Sequence, residues 1–236
     1  MALAHGCIAR MAVAVVTGAG RGIGRATAIE LARRGLDIAL VGRTEEPLVE
    51  AAAEVKKAGA RALVLRADVA RTADVQRAAA EVKAFGAPRI VVNNAGIAGR
   101  KAPIDEVSDD EWDAVLAVNL RGVFLVTRAF LPAMRAAGVG RFVTVASISA
   151  TLGSPGLAAY CASKWGAVGF VKSLAEELRG SGLQSLAVLP GTVDTPMAAV
   201  GGFAPQMSPD DVARVIVFAA LDAPDAMNGG AIECFG

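Results

Sequence analysis

The stretch MAVAVVTGAGRGIG, Met11–Gly24, decides the fold of this chain. Met11–Thr17 is an apolar run typical of a buried strand, and Ile23–Arg34 has the apolar periodicity of a helix that ends at Gly35. The glycines between them let the backbone turn tightly and approach a phosphate beside the free N–H groups of the helix N-terminus. The pattern is TGxxxGxG and not the general GxGxxG, but its place between a strand and a helix favours dinucleotide binding over a purely structural turn. The contacting residues would be Gly18, Arg21, Gly22, Ile23 and Gly24.

The rest of the chain repeats this alternation of strand and helix. Further strands are predicted at Asp37–Val41, Arg61–Leu65, Arg89–Val92, Phe142–Ala146, Leu183–Leu189 and Ala231–Phe235. Helices are predicted at Glu45–Ala58, at Thr72–Ala84 with Thr72 as N-cap, from a capping box of Ser108 and Glu111 to Ala137, at Leu157–Gly180, and from Ser208 onward. The fold class is therefore α/β, a single-domain doubly wound parallel sheet, Rossmann-like, with helices on both faces over residues 11–236. Residues 1–10 form a preface whose order the sequence leaves open.

The composition excludes several classes of function. Lys and Arg number 24 against 23 acidic residues, and no long run of like charge occurs, so neither nucleic acid nor an anionic membrane is an expected partner. No apolar run approaches the roughly 20 residues that span a bilayer. Three scattered cysteines (Cys7, Cys161, Cys234) suggest reduced thiols in a cytoplasmic protein. The lone histidine, His5, leaves no metal-ligand cluster and no Ser-His-Asp triad.

The end of the second strand indicates which dinucleotide is bound. An acidic residue there would bind the ribose 2′-hydroxyl of NAD, but this position holds Gly42, followed by Arg43. Arg43, together with Arg21 from the glycine turn, suits the 2′-phosphate of NADP. Solvated arginines are the alternative, and Glu45 and Glu46 lie close by in sequence. NADP(H) is therefore the expected cofactor, and NAD(H) stays open.

Three further strand ends carry residues suited to the same ligand. Asp68, with Val69 beside it, follows the third strand and could accept a hydrogen bond from the adenine amino group, or be an ordinary turn aspartate. Adjacent asparagines after the fourth strand would tie loops together, and a glycine there would let a cofactor pass close by. The sixth strand ends in a Gly/Pro-rich stretch that could contact the nicotinamide end and continue as a mobile lid over residues 192–207. The candidate residues at the last two ends are Asn94, Ala95, Gly96, Pro190, Gly191, Val193 and Thr195.

Tyr160 and Lys164 form the most distinctive pair for proton chemistry. Tyr160 is the only tyrosine, and Lys164 lies one helical turn later on the same face. An ammonium near a phenol lowers the pKa of the phenol and would fit it to exchange a proton with a carbonyl or alcohol oxygen. Asn119, in an apolar helical stretch, is either a surface residue or part of a polar network, and Ser147 ends the fifth strand, where its hydroxyl could bind a substrate oxygen. Each alone has an ordinary structural explanation.

Together these residues resemble the short-chain dehydrogenase/reductase family, and in particular its 3-oxoacyl-[acyl-carrier-protein] reductase-like members. The likeness covers about Ala12–Gly230, with TGxxxGIG at Thr17–Gly24, NNAG at Asn93–Gly96, YxxxK at Tyr160–Lys164 and PGxVxT at Pro190–Thr195. The resemblance implies a catalytic set of Asn119, Ser147, Tyr160 and Lys164, in which Tyr160 and Lys164 also contact the cofactor. It implies that Lys164 holds the nicotinamide ribose, and it places NADP at Arg21 and Arg43.

The expected activity is hydride transfer between NADP(H) and a small-molecule carbonyl or alcohol. In this interpretation Tyr160 exchanges the proton, Ser147 orients the substrate oxygen, Lys164 lowers the pKa of Tyr160, and Asn119 holds a water that resupplies the proton. An NAD-preferring enzyme and a dinucleotide-binding sensor without turnover remain alternatives. Apolar residues around the two long helices predict a homo-oligomer, a tetramer or a dimer. The apolar lid residues Met197, Val200, Phe203 and Met207 suggest a small or apolar substrate.

Overall fold

Seven parallel strands form the centre of the fold. The computed structural model describes residues 12–198 and 204–236. The strands are β1 (Ala12–Thr17), β2 (Asp37–Gly42), β3 (Ala62–Arg66), β4 (Ala87–Asn93), β5 (Gly140–Val145), β6 (Leu183–Pro190) and β7 (Ala231–Cys234). They lie in the order β3-β2-β1-β4-β5-β6-β7, and every pair is parallel. All seven predicted strands are confirmed, with ends that differ by one or two residues. Met11 lies outside the described residues.

Helices cover both faces of this sheet. They are α1 (Gly22–Arg33), α2 (Glu45–Lys57), α3 (Thr72–Phe85), α4 (Asp109–Leu116), α5 (Gly122–Ala137), α6 (Ala158–Glu177) and α7 (Pro209–Val217). Side chains of a strand alternate between faces, and β1 shows this directly. Ala14 and Val16 pack into one apolar cluster with α1, α2 and α7, whereas Val13 and Val15 pack into another with α3, α5 and α6. The predicted α/β doubly wound architecture, with helices on both faces of the sheet, is thus confirmed.

The helix ends follow local chemistry at most of the predicted positions. Ser108 and Ser208 each accept a hydrogen bond from the backbone three residues later, and each forms a complete capping box. Gly138 ends α5 with a φ of 64°, the left-handed conformation that favours glycine. Thr72 was expected to cap α3, but Arg71 occupies that position and makes no side-chain cap bond. The Thr72 hydroxyl instead accepts from Arg121 at 3.4 Å, so a tertiary contact has replaced the local one.

The helix predicted from Ser108 to Ala137 contains a break in its hydrogen-bond pattern. Residues Ala117–Arg121 form a π-helical turn between α4 and α5. The combined segment Asp109–Ala137 is long and apolar enough to cross a bilayer by length and composition, which corrects the expectation that no such run exists. Its apolar residues, such as Leu125, Phe130 and Met134, are buried against the sheet. Packing in the core therefore accounts for part of its apolar composition, whereas Phe124 is exposed.

The strand order reverses next to β1, because β2 lies on one side of it and β4 on the other. Such a reversal leaves a crevice beyond the carboxyl ends of the strands, and ligands of open α/β sheets bind there. The glycine turn after β1, the loops after β4 and β5, and the segment after β6 all meet at this edge. The candidate residues are therefore carried to one end of the sheet by topology alone.

Candidate active site

The glycine turn after β1 has the backbone shape that its sequence predicts. Gly18 and Gly22 have φ angles of 66° and 53°, which are unfavourable for other residues. A Cβ on Gly18 would lie 2.9 Å from Asn94 Nδ2, and one on Gly24 would overlap the carbonyl of Gly18. Side chains are thus excluded at these positions, and the backbone itself lines the start of α1. Ile23 packs into the core beside the sheet, so its backbone is what faces the turn.

Thr17 and Asn94 tie the ends of β1 and β4 together. Thr17 Oγ1 donates to the Val92 carbonyl at 3.2 Å and accepts from the N–H groups of Asn94 and Ala95 at 2.9 and 3.0 Å. Asn94 Nδ2 donates to the carbonyls of Thr17 and Gly18 at 2.8 and 3.3 Å. The tie predicted for the asparagines is confirmed. The central role of Thr17 in this tie was not predicted. The signal that could have shown it is a hydroxyl side chain at the end of an otherwise apolar strand.

The predicted contacts for the adenine end surround the ends of β2 and β3. Arg21 and Arg43 are exposed, and neither forms an ion pair within the part of the chain that the structure describes. Asp68 is half-buried, and its Oδ1 accepts from the N–H of Ala70 at 3.0 Å, as in an Asx turn. Val69 beside it is buried. The turn role of Asp68 is confirmed, and its contact with adenine stays a prediction.

Asn119 lies inside the π-helical turn and is almost completely buried. Its Oδ1 accepts from the Ile97 N–H at 2.9 Å, while Nδ2 donates to the Ile97 carbonyl at 2.8 Å and to Ser163 Oγ at 3.0 Å. Ser163 Oγ donates in turn to the Tyr160 carbonyl at 2.7 Å. A polar network, one of the two predicted alternatives, is therefore confirmed. Both donors of the Asn119 amide are used and one Oδ1 lone pair remains, so the predicted water would bind through Oδ1, and it stays a prediction.

Ser147 and Tyr160 stand next to each other at the end of β5. Ser147 lies two residues beyond the end of the strand, and its Oγ accepts from the Ser149 N–H at 3.1 Å. Tyr160 lies in the first turn of α6 and is half-buried. Burial raises the pKa of the Tyr160 phenol above its ordinary value, and its hydrogen bond with Ser147 lowers that pKa in part. The prediction of a lowered pKa is wrong for the protein alone, because desolvation of the phenolate dominates.

Lys164 is buried beneath Tyr160. Its Nζ donates to the Val145 carbonyl at 2.9 Å and lies 5.6 Å from the centroid of the Tyr160 ring. Burial lowers the pKa of Lys164 from 10.5 to about 8, because the charged form loses its hydration. The ammonium thus faces the backbone of β5 and the ring, and it is not among the causes of the raised pKa of Tyr160. A Cβ on Gly96 would lie 3.3 Å from Asn119 Oδ1 and 3.6 Å from Lys164 Nζ, so Gly96 keeps this space open.

The segment after β6 is held at its base. Pro190 is the buried last residue of β6, and the N–H of Gly191 donates to the Cys234 carbonyl at 2.9 Å. Val193 bridges to Met207, so the two ends of the predicted lid are paired. Residues 199–203, which include two of the apolar lid residues, lie outside the described residues. The lid itself stays a prediction.

Thr195 brings this segment to the glycine turn. A Cβ on Gly22 would lie 3.2 Å from Thr195 Cγ2. The loops after β1 and β6 therefore approach each other at the same edge of the sheet, although they are far apart in sequence.

The assembled site has two parts with different chemistry. One part offers backbone, glycine and exposed arginine, which suits phosphates and a flat dinucleotide. The other offers a phenol, a hydroxyl and a buried ammonium, which suits proton exchange with an oxygen atom. Gly18 and Gly22 put bare backbone at the start of α1, and Gly96 leaves the space beside Asn119 and Lys164 without a side chain, so the residues present fit a dinucleotide. No group of His, Cys, Asp and Glu suited to a metal ion occurs among residues 12–198 and 204–236.

A family model and several known proteins match most of this chain. The family model for short chain dehydrogenases matches residues 12–201. The 2-(R)-hydroxypropyl-CoM dehydrogenase of Xanthobacter autotrophicus is 39% identical over 207 residues, which cover 86% of this chain and 83% of that protein.

Two solved structures with bound cofactors are also similar. A 3-ketoacyl-(acyl-carrier-protein) reductase from Brucella melitensis, complexed with NADH, superposes with a TM-score of 0.89 at 31% identity and covers 95% of this chain and 96% of its own. A candidate NAD(P)-dependent gluconate 5-dehydrogenase from Beutenbergia cavernae, with NADP bound at low occupancy, gives a TM-score of 0.85 at 37% identity and 94% coverage of both chains. Both the seven-stranded fold and the family match extend over most of the chain, and this protein belongs to the short-chain dehydrogenase/reductase family of oxidoreductases.

Proposed function

We propose that this protein transfers hydride reversibly between NADP(H) and a small-molecule carbonyl or alcohol, with Tyr160 as the general acid and base. The observation that carries this proposal is the meeting of two sites at one edge of the sheet. The loop after β4 connects them, because Asn94 binds the carbonyls of Thr17 and Gly18 while Gly96 lies next to Lys164 Nζ. A sensor without turnover would need the turn but would have no use for a buried phenol–ammonium pair.

Tyr160 is proposed to exchange the proton at its Oη. Its raised pKa keeps the phenol protonated at neutral pH, which is the state that donates to a carbonyl oxygen during reduction. The Ser147 hydroxyl, adjacent to Oη, orients that oxygen by a hydrogen bond. When bound, the nicotinamide supplies or accepts the hydride. Proton donation of this kind contributes about 10²–10⁴-fold to the rate.

Lys164 and Asn119 are proposed to support that exchange from below. The Lys164 ammonium stays charged at neutral pH despite its lowered pKa of about 8, so it favours the phenolate that forms as the proton leaves. Family resemblance assigns to Lys164 the ribose hydroxyls of the nicotinamide. The remaining lone pair of Asn119 Oδ1 faces the space beside Gly96, where a proton-carrying water could sit between Asn119 and Lys164.

The cofactor is proposed to lie along the carboxyl ends of β1 to β6. The exposed guanidinium groups of Arg21 and Arg43 suit a 2′-phosphate, since no carboxylate among the described residues pairs with them. This supports NADP over NAD, while relatives are known with each. The proposed contacts are Gly18, Arg21, Gly22, Ile23, Gly24, Arg43, Asp68, Val69, Asn94, Ala95, Gly96, Tyr160, Lys164, Pro190, Gly191, Val193 and Thr195.

Exposed apolar side chains and the scattered cysteines support proposals for the substrate, the oligomeric state and the location. Met197 and Leu152 are exposed apolar side chains on the segments after β6 and β5, which supports a small or apolar carbonyl. Phe124 and Trp165 are exposed on α5 and α6, which supports a homo-oligomer, a dimer or a tetramer. The scattered cysteines support a cytoplasmic location for a single-domain enzyme.

A panel of carbonyl compounds offered with NADPH tests the activity through the loss of NADPH absorbance. The Tyr160→Phe variant should lose turnover by about 10²-fold or more, because it keeps the ring and removes the exchangeable proton. Its dissociation constant for NADPH should match the wild-type value. Tight NADPH binding without turnover of any compound would favour the sensor, and normal turnover by Tyr160→Phe would remove Tyr160 from its role.

The cofactor preference has its own experiment. We expect Arg43→Ala to raise the dissociation constant for NADPH by about tenfold and to leave that for NADH unchanged, because only NADPH carries the 2′-phosphate. Arg89→Ala is a suitable control, since Arg89 is half-buried at the start of β4, and its guanidinium donates to backbone carbonyls near the end of α5. An equal rise in the dissociation constants for NADPH and NADH in Arg43→Ala would contradict the assignment of Arg43 to the 2′-phosphate.

A further inference from the structure

Arg121 links the π-helical turn to the loop that follows β3. It is the last residue of the turn that buries Asn119. Its Nη1 donates to the Ala70 carbonyl at 2.5 Å, and its Nη2 donates to Thr72 Oγ1 at 3.4 Å. These partners lie about 50 residues away in sequence and at the other end of the proposed cofactor site. One side chain therefore links the loop after β3 to the π-helical turn that carries Asn119.

The loop itself has few other ties. Asp68 Oδ1 accepts from the Ala70 N–H, and the Asp68 N–H donates to Asp74 Oδ2 at 3.0 Å. The Arg71 N–H donates to the Asp68 carbonyl at 3.0 Å. All of these bonds lie within the loop and the first turn of α3. The contact from Arg121 is different, because it fixes the loop to the next layer of the structure.

A close apolar contact accompanies this polar one. Val69 is 6% exposed, and a Cβ on Gly122 would come within 3.0 Å of Val69 Cγ2. The helix can thus approach the loop only because residue 122 has no side chain. The polar bond from Arg121 and the packing of Gly122 are neighbours in sequence and act on the same loop.

We propose that Arg121 is a positioning residue for the adenine half of the cofactor, which it serves by holding the loop Asp68–Thr72 against the π-helical turn. The inference rests on the proposed function, since Asp68 and Val69 are assigned there to adenine. Charge-assisted bonds to a backbone carbonyl fix the loop in one position before the ligand arrives. Without Arg121 the loop must become ordered when the ligand binds. This ordering cost lowers the affinity only for ligands that contain adenine.

Calorimetric titration with the two halves of the cofactor tests this assignment. The ligands are NADPH, 2′,5′-ADP as the adenine half, and nicotinamide mononucleotide as the other half. If the wild type binds NADH more tightly, NADH and 5′-AMP replace the first two. The variants are Arg121→Gln and Gly122→Ala. The control is Arg128→Gln, an exposed arginine on the same helix that packs over Phe124 and does not touch the loop.

We expect Arg121→Gln to raise the dissociation constants of 2′,5′-ADP and NADPH equally, by about fivefold, and to leave that of nicotinamide mononucleotide unchanged. Turnover at saturating NADPH should stay at the wild-type rate, and Arg128→Gln should resemble the wild type throughout. Gly122→Ala should also weaken the binding of 2′,5′-ADP and leave that of nicotinamide mononucleotide unchanged. It provides a second variant if Arg121→Gln unfolds.

Two results would overturn the inference. Unchanged binding of the adenine half in both variants would show that the loop needs no such support. A fall in turnover with unchanged 2′,5′-ADP binding would instead assign Arg121 to the Asn119 turn. A wild type that binds neither dinucleotide would reject the proposed function itself, which separates the two failures.

Discussion

Replacement of Lys164 by methionine should change how the stability of the protein depends on pH. The side chain is 5% exposed, and burial lowers its pKa from 10.5 to about 8. Below about pH 8 the folded and unfolded chains both carry the proton, so the full cost of burying the charge is present. Between about pH 8 and 10.5 the unfolded chain still holds a proton that the folded chain has lost, and the wild-type free energy of unfolding rises with pH.

The size of this effect follows from the two pKa values. At about 1.4 kcal/mol per pKa unit, the buried ammonium costs about 3 kcal/mol at neutral pH. Between about pH 7 and pH 9.5, about 2 kcal/mol of that cost is relieved in the wild type. Methionine does not titrate, so Lys164→Met gains nothing over this range. The unpaired Val145 carbonyl and any packing change affect the variant equally at both pH values, and they cancel in the comparison.

Urea unfolding of both proteins at the two pH values measures this difference. We expect the stability of Lys164→Met relative to the wild type to be about 2 kcal/mol lower at about pH 9.5 than at about pH 7. Lys172→Met is the matched control, because Lys172 is exposed on the same helix. A stability difference that stays constant from about pH 7 to about pH 9.5 would refute the reasoning, and it would mean that the buried Nζ keeps its hydration.

Three other predictions address the site and its scaffold. Gly24→Ala should weaken NADPH binding by at least about tenfold in a fluorescence titration, because the new Cβ overlaps the Gly18 carbonyl; Gly153→Ala, which meets nothing within 4 Å, should not. Ser108→Ala should lower the free energy of unfolding by about 1 kcal/mol through loss of the capping box, with turnover unchanged, and a loss of turnover would tie this cap to the site. Tyr160 is the only tyrosine, so phenolate absorbance reports it alone, and its titration in the protein without cofactor should have a midpoint above 10.0; a lower midpoint would show that Lys164 outweighs burial.

Most of the fold could be predicted from local patterns. Buried parallel strands are continuous apolar runs, and the capping boxes at Ser108 and Ser208 mark helix starts by a bond between neighbours in sequence. Thr72 shows where this reasoning fails. Its sequence suits a cap, but the Arg121 guanidinium engages its hydroxyl from a distant helix, and no local rule anticipates that contact.

The site could be predicted as a set of residues but not as a set of contacts. Glycine spacing and the Tyr160–Lys164 pair are properties of short stretches, and both were found where expected. The partners of Lys164 and Asn119 come from elsewhere in the chain, namely Val145 and Ile97. The pKa values depend on burial by the assembled fold, so sequence spacing gave the wrong direction for Tyr160.

The π-helical turn at Ala117–Arg121 makes the site sensitive to the deletion of a single residue. A π turn amounts to one residue inserted into an α-helix, and each residue rotates a helix by about 100°. Deleting a single codon there would restore a regular helix and carry Asn119 away from Ile97 and Ser163, while the sheet and both flanking helices could persist. A folded but inactive paralogue could therefore arise in one mutational step, and a one-residue deletion that kept full turnover would contradict this view.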